Sequence, residues 1–234
     1  MAAGQRAGFS PKAEYIFKKQ LEEADFILIN RADELSPEQL DELTELVADQ
    51  ADGVPVLRIS AKTGAGFDPL LEMLERRGRF GQRLLDIDYD VYAEGEAELG
   101  WLNMSLKVTA DAPFALDDLV LRLVETLQKS LADAKAETAH LKVIGMWDGA
   151  SAVANLTSSF SPAELSLASQ SHCPAADVVV NARVAIDPAE LQRMVNDAVQ
   201  QACQAMGARC EVTQTQSFRP GRPVPTHRFG TAAS

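Results

Sequence analysis

Apolar residues along the first third of the chain recur with two different periods. In residues 12–24 (KAEYIFKKQLEEA), Ile16, Phe17, Gln20 and Leu21 fall at helical spacing. DFILIN (25–30) follows, a short apolar run with β-branched residues, which reads as a buried parallel strand. Ser36-Pro37-Glu38-Gln39 is a helix start: Ser36 can cap, Pro37 suits the first turn and Gln39 completes a capping box. Leu40, Leu43, Leu46 and Val47 then mark one face of that helix. Val54–Ile59 predicts a second short strand, and the turn Lys62-Thr63-Gly64-Ala65-Gly66 leads to a third helix carrying Phe67, Leu70, Leu71 and Leu74. The order α-β-α-β-α implies part of a doubly wound parallel sheet.

Residues 76–98 break that rhythm. They are charged, turn acidic from Asp86 to Glu98, and read as a connection, with Tyr89–Tyr92 as a candidate edge strand. A second rhythm then begins. Residues 99–109 alternate as a strand through Trp101, Met104, Leu106 and Val108. Residues 116–137 predict a long amphipathic helix with Leu116, Leu119, Val120, Leu123, Leu127 and Leu131 on one stripe. Strands follow at 140–147 and 152–158. Residues 161–170 carry two signals at once, a capping box at Ser161–Glu164 and a strand-like alternation in ELSLAS. Residues 177–186 form a strand, and Asp187-Pro188-Ala189-Glu190 opens a helix with Leu191, Met194, Val195, Ala198, Val199, Ala202 and Met206 on its apolar face. Residues 209–217 make the last strand. The order β-α-β-β-β-α-β contains the ferredoxin-like split βαβ pattern with one strand added. The expected architecture is therefore α/β. It comprises a partial doubly wound half sheet within 1–85, a linker at 86–98, a ferredoxin-like α+β domain at 99–218, and a basic, proline-rich tail at 219–234 that carries Arg219, Arg222 and Arg228.

Composition narrows the class of function. With 234 residues the chain is long enough for one or two packed domains. Its 46% hydrophobic and 24% charged residues are ordinary for a globular protein. A net charge of −12 argues against nucleic-acid binding driven by overall charge. No apolar run approaches the ~20 residues of a membrane span, and residues 1–15 lack an apolar signal core. Three scattered cysteines make no disulfide framework. These features point to a cytoplasmic protein that meets neither membrane nor nucleic acid.

Candidate chemistry lies at the ends of the first two strands. Asn30-Arg31-Ala32-Asp33 follows one and Ser60-Ala61-Lys62-Thr63-Gly64 the other. Open α/β sheets bind ligands at the carboxyl ends of their strands. Guanine presents N1–H and a 2-amino group side by side, and one carboxylate, that of Asp33, can accept from both. Its O6 needs a donor, which a backbone N–H of Ala61 or Lys62 supplies, and Arg31 or Lys62 can lie on the ring by cation–π stacking. N-R-A-D resembles the N-K-x-D guanine-recognition motif of GTPases, and S-A-K-T-G resembles their second base-contacting loop. The preceding YIFKKQLEEADFILINRADEL resembles the GTPases of the CobW/HypB/UreG type. The motif resemblance covers roughly residues 10–75, and the second domain corresponds by order to the extra α/β domain of CobW-like members.

That resemblance implies the C-terminal portion of a GTP-binding protein linked to metal delivery or metal-cofactor assembly, with guanine read by Asn30, Arg31, Asp33, Ser60, Ala61 and Lys62. In it Asp33 accepts from the base, Asn30 braces the loop, Ala61 donates to O6, and Arg31 and Lys62 flank the ring. The sequence contains no G-x-x-x-x-G-K-S/T. It therefore brings no backbone cradle for phosphates, no phosphate lysine and no hydroxyl for magnesium. GTP is accordingly expected only with a P-loop half from elsewhere, and no catalytic residue is expected in this chain. The expected partners are a separate N-terminal GTPase half or a metalloprotein client. The alternative is a non-catalytic protein-interaction module with relic nucleotide motifs. A metal site at His172-Cys173 would need His140, Cys203 or Cys210, and no C-x-x-C or H-x-x-x-H spacing supports it. Cys203 reads instead as a buried thiol, and Trp101 and Trp147 as core residues on strands.

Overall fold

The computed structural model describes residues 11–51, 53–75, 81 and 88–222. The fold is mixed α/β, with one parallel and one antiparallel sheet. The chain divides into two compact units, Met1–Gly95 with Arg222–Ser234, and Glu96–Gly221.

In the first unit α1 (Pro11–Glu23) leads to β1 (Ile27–Ile29), a single 3₁₀ turn (Ala32–Glu34), α2 (Pro37–Gln50), β2 (Val56–Arg58), α3 (Phe67–Glu75) and α4 (Tyr89–Glu96). The strands pair in parallel, Ile27 opposite Val56 and Ile29 opposite Arg58. The capping box forms: the Ser36 hydroxyl accepts from Gln39 N–H (3.2 Å), and the Gln39 carboxamide accepts from Ser36 N–H (2.9 Å). Two orphan amides are thereby satisfied at the entry to α2, a contribution of about 1 kcal/mol. Ile16, Ile29, Ala51, Val54 and Ile59 are buried. Other residues of the predicted apolar faces are not: Phe17, Leu46, Leu71 and Leu74 are 57%, 47%, 52% and 54% exposed. A two-stranded sheet is too narrow to cover three helices, so their stripes overhang it.

The edge strand expected at Tyr89–Tyr92 is a helix instead. Asp88 decides this. Its carboxylate accepts from the N–H groups of Asp90 (2.9 Å) and Val91 (3.2 Å), capping α4. Part of the expected linker is thus ordered secondary structure, while residues 86 and 87 lie outside the described residues. In the tail, Arg222 Nε donates to Asp90 (2.6 Å); Arg228 lies outside the described residues.

The second unit runs β3 (Gly100–Ala115), α5 (Leu116–Asp133), β4 (Thr138–Trp147), β5 (Ala150–Leu156), β6 (Glu164–Leu167), β7 (His172–Val184), α6 (Pro188–Ala205) and β8 (Ala208–Phe218). Its sheet has the order β6-β5-β4-β7-β3-β8, antiparallel throughout. The connection β3-α5-β4 spans β7, and β7-α6-β8 spans β3, so two crossovers interleave. The stripes of α5 and α6 bury against alternate sheet residues, among them Leu102, Met104, Leu106, Leu141, Val143, Val178 and Val180. The two-signal segment 161–170 resolves to the strand β6, and β7 starts at His172 rather than 177, so His172 and Cys173 open the strand. On one sheet face no helix of the second unit packs among the described residues. Trp101 lies on that face half-buried, and Trp147, at the end of β4, is 37% exposed. Neither is a core residue as expected: alternation turns Trp101 away from the helices, whereas Trp147 shares the parity of buried Leu141, Val143 and Gly145 but stands at the exposed end of its strand. Arg219 donates to the backbone carbonyls of Ala97 and Ile186.

Asp117, in the first turn of α5, ties down the segment before β7. It accepts from Ser169 N–H and Oγ (2.7 Å each) and Gln170 N–H (2.9 Å). Burial acts to raise its pKa, but these donors outweigh burial and hold the carboxyl below its ordinary range. A depressed carboxylate contributes stability above its unfolded pKa, lost as pH falls through the folded value. Asp117→Ala is therefore expected to destabilise the second unit by about 2 kcal/mol at neutral pH. In urea titrations the gap to the native chain should close below the usual carboxylate range; a constant gap down to strong acid would contradict this.

Candidate functional site

The carboxyl ends of β1 and β2 lie side by side, and the two motifs extend from them. Ala32 N–H donates to Ile59 C=O (3.1 Å) and Ile59 N–H to Ile29 C=O (2.8 Å), continuing the ladder into the loops. Asn30 is the joint. Its carboxamide oxygen accepts from Arg31 N–H (2.8 Å) and, across 31 residues of sequence, from Ala61 N–H (3.0 Å). Arg31 takes a left-handed conformation, φ 65° and ψ 31°, uncommon for a residue with a side chain. That kink turns the chain into the 3₁₀ turn that carries Asp33.

The second loop is built on Ser60, whose side chain is fully buried. Its oxygen accepts from Thr63 N–H (3.1 Å), its N–H donates to Ala65 C=O (2.9 Å), and its C=O accepts from Gly64 N–H (2.8 Å). Asp33 is exposed but linked to this loop. The Ser60 hydroxyl hydrogen-bonds its carboxylate and holds it below the ordinary range against the opposing effect of burial, helped by its own backbone N–H and the charges of Lys62 and Arg31. Asp33 is thus an ionised acceptor at neutral pH. Gly66 closes the loop at φ +78°, with the position of a Cβ only 2.1 Å from Arg58 O.

All six residues expected to read a base meet here: Asn30, Arg31, Asp33, Ser60, Ala61 and Lys62. Two of the expected roles change. Ala61 N–H is given to Asn30, so it is not the free donor for a ring oxygen; the N–H of Lys62 has no acceptor among the described residues. Arg31 is drawn to Glu34, with Nε and Nη2 2.7 and 2.6 Å from one carboxylate oxygen, whereas the Lys62 ammonium makes no ion pair among the described residues. The sequence signal for Lys62 as backbone donor was its place after Ala61; the structure supplies the reason to choose between them.

No model of a protein family matches this chain, and no curated protein matches it. Two solved structures do. They are the Zn(II)-bound YjiA GTPase from E. coli and a Zn(II)-bound triple mutant of YjiA GTPase. Each is 15% identical, with TM-scores of 0.28 and 0.26 over 79% and 82% of this chain. The chain spans 55% of each of those chains, about half their length.

Among the described residues no group of three or more His, Cys, Asp or Glu side chains could hold a metal ion. Cys173 and Cys203 are buried free thiols. Burial, with Cys210 beside it, pushes Cys203 up to about 12, so the thiolate that a metal would require is strongly disfavoured. No described helix is long and apolar enough to cross a membrane.

Proposed function

We propose that the first unit is the base-reading half of a guanine-nucleotide site of the CobW-like type, and that the second is a ferredoxin-like partner-binding domain with β5 and β6 as an added hairpin. The observation that carries this reading is the Asn30 carboxamide, which locks the N-R-A-D turn to the S-A-K-T-G loop while Ser60 orients and ionises Asp33. Asp33 accepts from N1–H and the 2-amino group, Lys62 N–H donates to O6, and the Lys62 side chain flanks the ring. The overhanging apolar faces of α1, α2 and α3 suit further parallel strands. A P-loop half bearing the phosphate cradle and the magnesium ligand would dock there, either as a separate polypeptide or as sequence beyond that given. In this role the chain contributes guanine specificity to metal or metal-cofactor handling, with a metalloprotein as client, and does not hydrolyse GTP alone.

Amide-resolved NMR titration of the full chain tests the reading. GMP, IMP and AMP share a phosphate and differ at the base edge, so phosphate effects cancel in the comparison. Each charge-assisted hydrogen bond contributes about 1.5–3 kcal/mol, so GMP alone is expected to bind near millimolar. It should move the amides of 30–33 and 60–63. IMP, lacking the 2-amino group, should bind more weakly, and AMP should not move those amides. Asp33→Ala should abolish the difference between GMP and IMP and narrow that between either and AMP. Equal responses, or none from GMP, would leave the motifs as relics in an interaction module.

A further inference from the structure

The helix-free face of the second unit's sheet presents its side chains in register across strands. Arg183 of β7 lies directly opposite Trp101 of β3 on one side and His140 of β4 on the other. One step along, Asn181 lies between Asn103 and Lys142. Neighbouring strands are about 4.8 Å apart and diagonal positions about 7–8 Å, so Arg183, His140 and Lys142 fall within reach of one small group. The guanidinium carbon of Arg183 sits 3.9 Å from the Trp101 ring centroid, and Phe218 of β8 backs that ring at 6.0 Å. Trp101 thus holds the guanidinium flat and leaves its N–H edge for a ligand. Asn181 Nδ2 donates to Asn103 Oδ1 (2.6 Å), which leaves the Asn103 amide hydrogens as neutral donors beside the cations.

Elsewhere on this face Lys107 and Arg209 meet carboxylates. At its other end Lys107 lies between Asp177 and Glu211 in register, and Arg209 pairs with Asp111 (2.8 Å). Arg183, Lys142 and His140 have no carboxylate partner among the described residues. The nearest carboxylate in the row, that of Glu164, is two strands from Lys142 through Asn155. The groups facing His140 are Lys142 on its own strand, Arg183 on β7, and the neutral Trp101, Asn103 and Asn155. Burial, then the Lys142 and Arg183 charges, lowers its pKa. The Nε1 of Trp101 is also buried without an acceptor. Three basic groups facing one another in a chain of net charge −12 are self-repelling, and an anion relieves the repulsion.

We propose that this end of the open face binds a small phosphate monoester, held by Arg183, Lys142 and His140 with Asn103 as a neutral donor. Two permanent charges and one inducible charge match the roughly −1.5 to −2 of a phosphate ester better than the single charge of a carboxylate. The patch is three side chains wide and Glu164 lies in its row toward the β6 edge, so a long polyanion would meet like charge on leaving it there.

Phenyl phosphate and benzoate share a ring and differ in their anion, and titrating each into the full chain tests the site. Phenyl phosphate should bind saturably, about tenfold or more tighter than benzoate, and should raise the pKa of the His140 ring, read from its NMR resonances, by about one unit or more. Lys142→Gln and Arg183→Gln should each weaken binding about tenfold; the lysine variant serves if loss of the Trp101 stack disturbs folding. Lys107→Gln should change nothing. His140→Gln should retain weakened binding. Benzoate binding as tightly as phenyl phosphate, or a Lys142→Gln chain that folds and titrates like the native one, would overturn the proposal. So would a phosphopeptide or an oligonucleotide that binds more than about tenfold tighter than phenyl phosphate.

Discussion

Gly66→Ala is expected to destabilise the first unit by about 2–4 kcal/mol. Gly66 ends the S-A-K-T-G-A-G turn at φ +78°, and an alanine Cβ there would stand 2.1 Å from Arg58 O, 3.1 Å from Arg58 C and 3.1 Å from Ile59 Cα. All three are backbone atoms in the strand end that carries the site, so no side chain can swing aside. The left-handed conformation adds about 1–2 kcal/mol for a residue with a Cβ. Only displacement of the loop from β2 relieves the clash. Hydrogen exchange should then accelerate at Ala32 and Ile59, whose N–H groups bind backbone carbonyls across the strand ends, and at Ala61, whose N–H binds Asn30. Gly64→Ala is the control. Its φ of +80° imposes the same conformational cost, but nothing lies within 4 Å of its Cβ position, so it should cost about 1–2 kcal/mol. Equal effects at both positions would mean that the close approach at Gly66 is relieved at no cost.

Leu127→Ala is expected to cost the second unit about 3 kcal/mol, within the range of 2–5 for buried leucines. Leu127 is fully buried on the α5 stripe, among Val124, Leu123 and Leu131. The side chain fills space between a helix and a sheet that six hydrogen-bonded strands hold rigid, so the cavity cannot collapse readily and the upper part of the range applies. Chemical denaturation of the full chain, followed by exchange at the amides of β4 and β7, measures the effect. A loss below about 1 kcal/mol would show that α5 is held by its partners more loosely than its burial implies.

The elements of the second unit were legible because their periods are strong and long. Six apolar residues at helical spacing from Leu116 to Leu131 leave no competing reading for α5, and Asp187-Pro188 marks the start of α6, where the Asp187 carboxylate caps Ala189 and Glu190. The short segments were less legible. Residues 89–92 have the aromatic content of a strand, and one preceding carboxylate, that of Asp88, tips them to helix through two local hydrogen bonds. Residues 164–167 carry a helix start and a strand alternation of similar strength, and pairing with β5, Val153 opposite Leu167 and Asn155 opposite Glu164, decides for the strand. Trp101 was misplaced because hydrophobicity says that a side chain prefers burial, not which sheet face a helix will cover, and Trp147 because it does not say where along a strand that cover ends.

The six residues of the candidate site could be named from the sequence alone, since each loop follows an apolar strand and carries its motif in the order that parallel strands require. Their division of labour could not. Asn30 lies 31 residues from Ala61, and only the side-by-side packing of β1 and β2 brings its carboxamide to the Ala61 N–H, removing that donor and leaving the one of Lys62. The grouping of His140, Lys142 and Arg183 likewise has no signature along the chain, because Arg183 lies 43 and 41 positions from His140 and Lys142 and becomes their neighbour only through the β4–β7 register. By itself the sequence determined what is local: the periods, the caps, the turn glycines and the chemistry of each motif, all set by interactions within a few residues. The tertiary structure alone decided which donors remain free, which apolar faces stay uncovered and which charges lack a partner, because each depends on contacts between segments whose separation the chain does not encode.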